Sequence, residues 1–380
     1  MILIENGEVY APQPCGRQSV LIAGERIERI GEADARAIER AGFELSVIDA
    51  TGCCVTPGFI DPHEHLIGGS GEDGFATQTP AVTLGEIVTA GITTVVGCLG
   101  VDTTTKTMPG LLARAKALGE EGLTAFIWSG GYNVPPVTLT GSVRSDLLFV
   151  AEVIGAGEIA ISDVRSTQPE ISELARLVSD AYVGGLLSCK AGVTHFHVGD
   201  GRAGLQPLRT LIDEYEIAPR CLYPTHVERR RELLGEAAEL TRRGAFADID
   251  TMAEDLPQQL RFFLEDGGDL NRLTVSSDAA ISSPRTLSEQ LRACVIEYKH
   301  TLEQMLPLVT MNTARALGLE RKGRLAPGAE ADVLVLRRGT LEITHVIARG
   351  RLLVNAGRLT VTEKFLAQSN RRIELYGSKS

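Results

Sequence analysis

Gly58-Phe59-Ile60-Asp61-Pro62-His63-Glu64-His65 is the stretch on which the fold turns. It reads as a short apolar strand closing on two histidines with one residue between them. Side chains alternate faces along a strand, so His63 and His65 project the same way. Two neutral imidazoles side by side at a strand end can hold one divalent ion, because imidazole nitrogen suits zinc, iron, nickel and manganese. The same pair also occurs on surfaces and in packed cores, so its weight rests on what the rest of the chain supplies.

From that strand onward, short apolar segments alternate with amphipathic ones. Further strands are predicted at Ile92–Gly97, Ala125–Ser129, Ile154–Ser162, Thr194–Val198, Leu222–Thr225, Ala245–Ile249 and Leu273–Ser277, making eight with the first. Leu111–Glu121, Ser172–Val183 and Arg229–Arg243 read as helices between them. Alternating β and α units imply a parallel sheet, and eight of them over residues 55–320 match a (β/α)8 TIM-like barrel. Both ends of the chain behave differently. Ile2-Leu3-Ile4, Ser19–Ile22, Leu45–Ile48, Ala331–Leu336 and Ile343–Ala348 alternate in a β manner, with turn residues such as Asn6-Gly7 and Ala23-Gly24 between the first of them. The expected α/β architecture is therefore a barrel with a small β-sandwich domain built from both termini, residues 1–54 and 321–380.

Composition narrows the function classes. With 43% hydrophobic and 23% charged residues and 40 glycines in 380, the chain is globular and rich in turns. No apolar run reaches the roughly 18 residues that a membrane span needs, and Met1–Gly7 lacks the features of a secretory signal. A net charge of −11, with Arg229-Arg230-Arg231 as the one short basic cluster, argues against a nucleic-acid partner. Seven cysteines without paired spacing read as reduced thiols in a cytoplasmic setting.

In such a barrel, chemistry sits where strands end and loops begin. The fifth strand carries His195 and His197 on one face, the sixth ends at His226, the eighth at Asp278, and the fourth contains Glu158. Each has a bland explanation: a hydrogen-bonded histidine, an N-cap at Asp278 for the helix after Ser282, a buried paired carboxylate at Glu158. Together they place like-charged groups at one face, which is costly without cations. Two divalent ions roughly 3.5–4 Å apart would neutralise the carboxylates and polarise a bridging water. Asp278 is placed to take that water's proton and hand it to a leaving amine. Amide hydrolysis is the reaction class that follows. Between His195 and His197 the strand pattern makes no choice.

These residues resemble the amidohydrolase superfamily, with its His-x-His after strand one, a bridging group on strand four, histidines on strands five and six, and Asp on strand eight. Longer motifs are similar to those of the isoaspartyl (β-aspartyl) dipeptidase family: His63–Glu72, Gly130–Pro135, Ile161–Ser166 and Pro224–Arg229. The resemblance implies that His63, His65 and Asp278 bind a first metal and His197 and His226 a second, zinc being the expected ion, bridged at Glu158. It implies that Glu72 takes the substrate α-amino group, that Arg165 and Arg229 hold its carboxylates, that Ser282 also binds substrate, and that Tyr132 polarises the scissile carbonyl. The implied partner is a small dipeptide with two carboxylates, and the implied state is a homo-oligomer. The chemistry agrees, since one carboxylate and two guanidiniums complement one ammonium and two carboxylates.

Three departures stand out. The family usually bridges its metals with a carboxylated lysine. Glu158 preserves that charge, but its carboxyl carbon lies three bonds from Cα where a lysine carbamate lies six, a difference of several ångströms in reach. Val101 stands where the family usually has a hydroxyl, with Thr103–Thr105 nearby, and the segment after Asp278 is short. A related amidohydrolase acting on another small acidic amide, an N-acyl amino acid or cyclic imide, is the alternative. A non-catalytic barrel scaffold would have lost metal ligands, and none of the His or Asp ligands is missing.

Overall fold

The computed structural model describes residues 1–69, 71–253 and 255–370; Ser70 of the His63–Glu72 motif and the last ten residues of the C-terminal part lie outside them. Eight parallel strands run through the middle of the chain: Phe59–Glu64, Ile92–Gly97, Thr124–Ser129, Val153–Ile161, Val193–Val198, Leu222–Thr225, Ala247–Asp250 and Leu273–Ser276. They lie within two residues of their predicted positions. Most are buried on both faces, which is why Ile92–Gly97 and Val153–Ile161 show no polar–apolar alternation. Helices follow between them. Met108–Glu121, for example, starts where the Thr107 side chain accepts the Gly110 N–H and stops at Gly122 in the left-handed region.

The first six strands form one curled parallel sheet in chain order, and the last two form a separate parallel pair. Among the described residues no continuous ladder joins the pair to the sheet, so the TIM-like expectation is met only as a curl of six strands and a pair. What spans the gaps is mainly side-chain hydrogen bonding. The Asp248 carboxylate accepts from Thr225 on the sixth strand and from Thr274 and Ser276 on the eighth. Asp61 on the first strand accepts the Ser277 N–H at 3.2 Å, and the His65 N–H donates to the Ala279 carbonyl. Short strands ending in Thr, Ser and Asp leave polar side chains to do what backbone pairing does elsewhere.

The two chain ends meet in one mixed nine-stranded sheet, a single hydrogen-bonded sheet where two stacked ones were expected. Val333–Arg337 pairs antiparallel with Cys53–Pro57, which in turn pairs parallel with Ile2–Tyr10. Cys53–Pro57 runs through Gly58 straight into Phe59–Glu64, so the strand that carries His63 grows out of that sheet. Gly58 is required there: a Cβ would fall 2.2 Å from the Thr93 hydroxyl oxygen.

The core inside the curl is aromatic. Trp128, Tyr223 and Phe246 pack with Ile60 and Val96, and the Trp128 indole N–H donates to the Pro62 carbonyl at 3.0 Å. That layer is the floor of the site above it.

Candidate functional site

Parallel strands deliver their C-terminal ends to one face, and there the structure gathers His63, His65, Glu158, His197, His226 and Asp278, all buried. The Asp278 Oδ1 lies 3.3 Å from the Nε2 of both His63 and His65. Glu158 stands between the two histidine pairs: Oε2 is 3.2 Å from His197 Nδ1, 3.6 Å from His63 Nε2 and 3.8 Å from His226 Nε2, and Oε1 is 3.8 Å from His65 Nε2. The short glutamate therefore does reach all four imidazoles. Asp278 caps no helix, since the next one begins after Pro284 without a side-chain cap.

The hydrogen bonds around this centre determine which nitrogen each imidazole presents. His195 stacks on Trp128 with ring centroids 4.9 Å apart, and its Nδ1 is 2.9 Å from the Tyr223 carbonyl. A carbonyl only accepts, so His195 carries its proton on Nδ1 and accepts at Nε2. The partner there, at 2.8 Å, is His63 Nδ1, which must donate. His63 is left with a bare Nε2 facing Asp278 and Glu158. His226 Nδ1 donates to Asp250 at 2.7 Å, which bares its inward nitrogen, and His197 Nε2 lies 3.0 Å from both Asp163 and Arg165 Nη2 with its Nδ1 turned inward. Outer acceptors of this kind set tautomer and ring orientation at metal sites. The choice between the fifth-strand histidines is thereby made: His197 enters the centre and His195 supports it from below.

His63 Nε2, Glu158 Oε1 and Asp278 Oδ1 are buried and have no hydrogen-bond partner among the described residues. Buried polar atoms are nearly always satisfied, so three converging orphans fit a divalent cation. The electrostatics agree. Burial alone would lower His226, yet Asp250 and Glu158 lift it to about 9. Burial alone would raise Asp278, yet His63 and His65 hold it below the usual carboxylate range. Both shifts express a demand for positive charge at the centre.

A cleft of about 130 Å³ opens above, lined by Glu72, Tyr132, Arg165 and Arg229 with the centre at its base. That is small beside the roughly 300–1,000 Å³ of ordinary ligand pockets, because Arg165 reaches across it. Its Nε and Nη2 grip Asp163 at 2.9 and 2.7 Å, while Nη1 donates to Glu72 at 2.7 Å. Arg229 makes no hydrogen bond or ion pair through its guanidinium among the described residues. The Tyr132 hydroxyl lies 2.8 Å from His197 Nδ1, and burial, reinforced by Glu158, keeps the phenol protonated. Ser282 instead donates to the Ser277 carbonyl at 2.7 Å and does not line the cleft. Val101 lines it, as does Lys106, but Thr103–Thr105 do not; Met252 and Ile281 form an apolar rim. A larger groove of about 630 Å³, near Arg26, Lys116 and Arg349, contains no imidazole and offers none of this chemistry.

Asp163, Asp250, Cys98 and Lys106 were not singled out from the sequence. Their places depend on which strands become neighbours, although Asp163 lies two residues from Arg165.

Comparison with known proteins adds four findings. The amidohydrolase family model matches residues 54–353. A crystal structure of β-aspartyl dipeptidase from Fervidobacterium islandicum AW-1 is 38% identical, covering 95% of this chain and 99% of that one with a TM-score of 0.90. A second structure of that enzyme, in complex with a β-Asp-Leu dipeptide, is 36% identical over the same shares with a TM-score of 0.89. Among curated proteins, adenine deaminase 2 of Rhizobium meliloti is 24% identical over 82% of this chain, which spans about half, 50%, of that relative's length.

Proposed function

The chain belongs to the amidohydrolase family, and from that premise we propose that it is a metal-dependent hydrolase cleaving the isopeptide bond of β-aspartyl dipeptides. The observation that carries this is the charge pattern of the cleft. Glu72 and Arg165 stand 2.7 Å apart, beside the buried centre. An α-amino-acid head, with ammonium and carboxylate on one carbon, is the ligand whose two charges fit adjacent groups of this kind. A β-aspartyl residue presents that head and places its side-chain carbonyl further in. Arg229 is left for the second carboxylate.

His63, His65 and Asp278 would hold one divalent ion and His197 and His226 a second, with Glu158 between them. The nitrogen and oxygen donors suit zinc. Bound there, such ions supply Lewis acidity toward water and the scissile carbonyl. The chain's own groups do the rest. Asp278, kept ionised, accepts a proton from the attacking water and returns it to the leaving amine. Tyr132, kept protonated, donates to the oxygen on which charge develops. Ser282 holds the turn after Asp278 in shape, and Asp163 keeps the Arg165 fork in plane.

The same reading treats the curl and the strand pair as one eight-stranded barrel over residues 55–320, with residues 1–54 and 321–380 forming the second domain. It places the protein in the cytoplasm, in keeping with seven free thiols, and takes it as a homo-oligomer on the family likeness. No helix among the described residues is long and apolar enough to cross a membrane.

A panel of β-aspartyl, α-aspartyl and N-acyl substrates tests the proposal. Turnover of β-aspartyl dipeptides well above the others is expected; activity confined to N-acyl compounds would overturn it.

A further inference from the structure

Cys98 follows the second strand and is fully buried. Its N–H donates to the Glu64 carbonyl at 2.9 Å, which holds it against the strand that carries His63 and His65. The Sγ is 3.6 Å from His65 Nδ1 and 3.9 Å from His65 Nε2. One donor atom each from His63, His65, Cys98 and Glu158 all lie within 4.8 Å of one another. Around a single zinc ion at ~2.0–2.3 Å, donors at tetrahedral angles stand roughly 3.3–3.6 Å apart. The sulfur thus stands near that spacing from His65 and within 4.8 Å of a donor atom of His63 and of Glu158.

Glu158 shows why a further donor is needed. Its nearest imidazole is His197 at 3.2 Å, with His63 and His65 at 3.6 and 3.8 Å, so the carboxylate leans toward the second pair. The first ion would then have two imidazoles, Asp278 and only a share of Glu158. His63 Nε2 and Asp278 Oδ1, buried and unpartnered, face its position. The competing partner of the thiol is the Glu64 carbonyl at 3.5 Å, a weak contact for sulfur.

We propose that Cys98 is a thiolate ligand of the ion held by His63, His65 and Asp278. Ligation releases the thiol proton to solvent and forms one metal–sulfur bond. It would give the first site two imidazoles, Asp278, the thiolate and a share of Glu158, while the second, with three protein donors, keeps an open position. This inference rests on the metal-dependent reading above.

Zinc K-edge X-ray absorption of the zinc-loaded protein tests it. Sulfur scattering at ~2.3 Å, about one sulfur for every two zinc ions, is expected in the wild type and lost in Cys98→Ser. Purely nitrogen and oxygen scattering in the wild type overturns the assignment and leaves the metal-dependent reading intact. So does a sulfur signal that survives in Cys98→Ser, which would come from another cysteine. Protein that takes up no zinc after repletion overturns both. Should Cys98→Ser fail to fold, the cobalt-loaded wild type decides: a thiolate-to-cobalt charge-transfer band is expected, and its absence rejects the ligand.

Discussion

His63 Nδ1 lies 2.8 Å from His195 Nε2, and this contact fixes the nitrogen that His63 turns to the centre. His195→Phe preserves the stack on Trp128 and removes the acceptor. Metal affinity is expected to fall roughly 10–100-fold, measured by competition with a chromophoric chelator. His195→Gln, whose amide oxygen can accept the same proton, should recover part of the loss. Equal affinity in wild type and His195→Phe would show that the relay is idle.

Glu158 is the group that faces both histidine pairs. Glu158→Gln keeps the shape and removes the charge, so the purified variant is expected to hold about one ion or fewer and the wild type two. Elemental analysis after repletion gives the count. Two retained ions in the variant would rule out a bridging role.

Asp278→Asn removes the proton acceptor, and kcat should fall by about 10²–10⁴-fold. Tyr132→Phe should lower kcat with little change in KM, because its donation matters most as charge develops. Since burial holds the phenol protonated, no loss of activity assignable to Tyr132 is expected on the alkaline side below pH ~10.

Stability of the chelated protein should fall as pH rises. Burial lowers His226, but Asp250 and Glu158 raise it to about 9. A histidine raised above its unfolded value of roughly 6.5 contributes stability that is complete below that value. The contribution is lost as pH climbs through the folded one. Asp61, pushed by burial to about 7, acts in the same direction. Thermal melts between these limits should show a declining Tm, and metal loading should flatten the slope because an ion replaces the protons. A rising Tm in the chelated protein would contradict the assignment.

Glu72→Gln should reduce kcat/KM for β-aspartyl dipeptides by about 10–100-fold, the worth of one hydrogen bond to a charged group. It should also narrow the preference over N-acetylated analogues, which lack the ammonium. Steady-state kinetics on the two substrates gives the ratio; an unchanged preference would place the amino group elsewhere.

Much of this centre was legible because a parallel sheet converts sequence position into spatial position. His63, His65, Glu158, His226 and Asp278 each sit at or near the end of a strand whose apolar run is easy to see. The fifth strand shows the limit. Alternation puts His195 and His197 on one face, and only the Tyr223 carbonyl, 28 residues away, tells them apart. Asp250 and Cys98 were opaque for the same reason, their partners lying on other strands. The sequence also exaggerated the difficulty at Glu158, because bond counting assumes a backbone fixed at the position that suits lysine. The gaps around the seventh and eighth strands were invisible to periodicity, since they depend on whether Asp248 and Asp61 or the main chain carries the pairing.

The Glu72–Arg165 pair makes the resting cleft its own competitor. Any guest must displace an internal partner at both ends at once. An amine alone leaves the guanidinium with Asp163 as its remaining anion, and an acid alone leaves Glu72 to water. Only a molecule bearing both charges on neighbouring atoms exchanges one pair for another at little net change. Discrimination thus begins as a double swap at the mouth, before the scissile bond reaches the chemistry below.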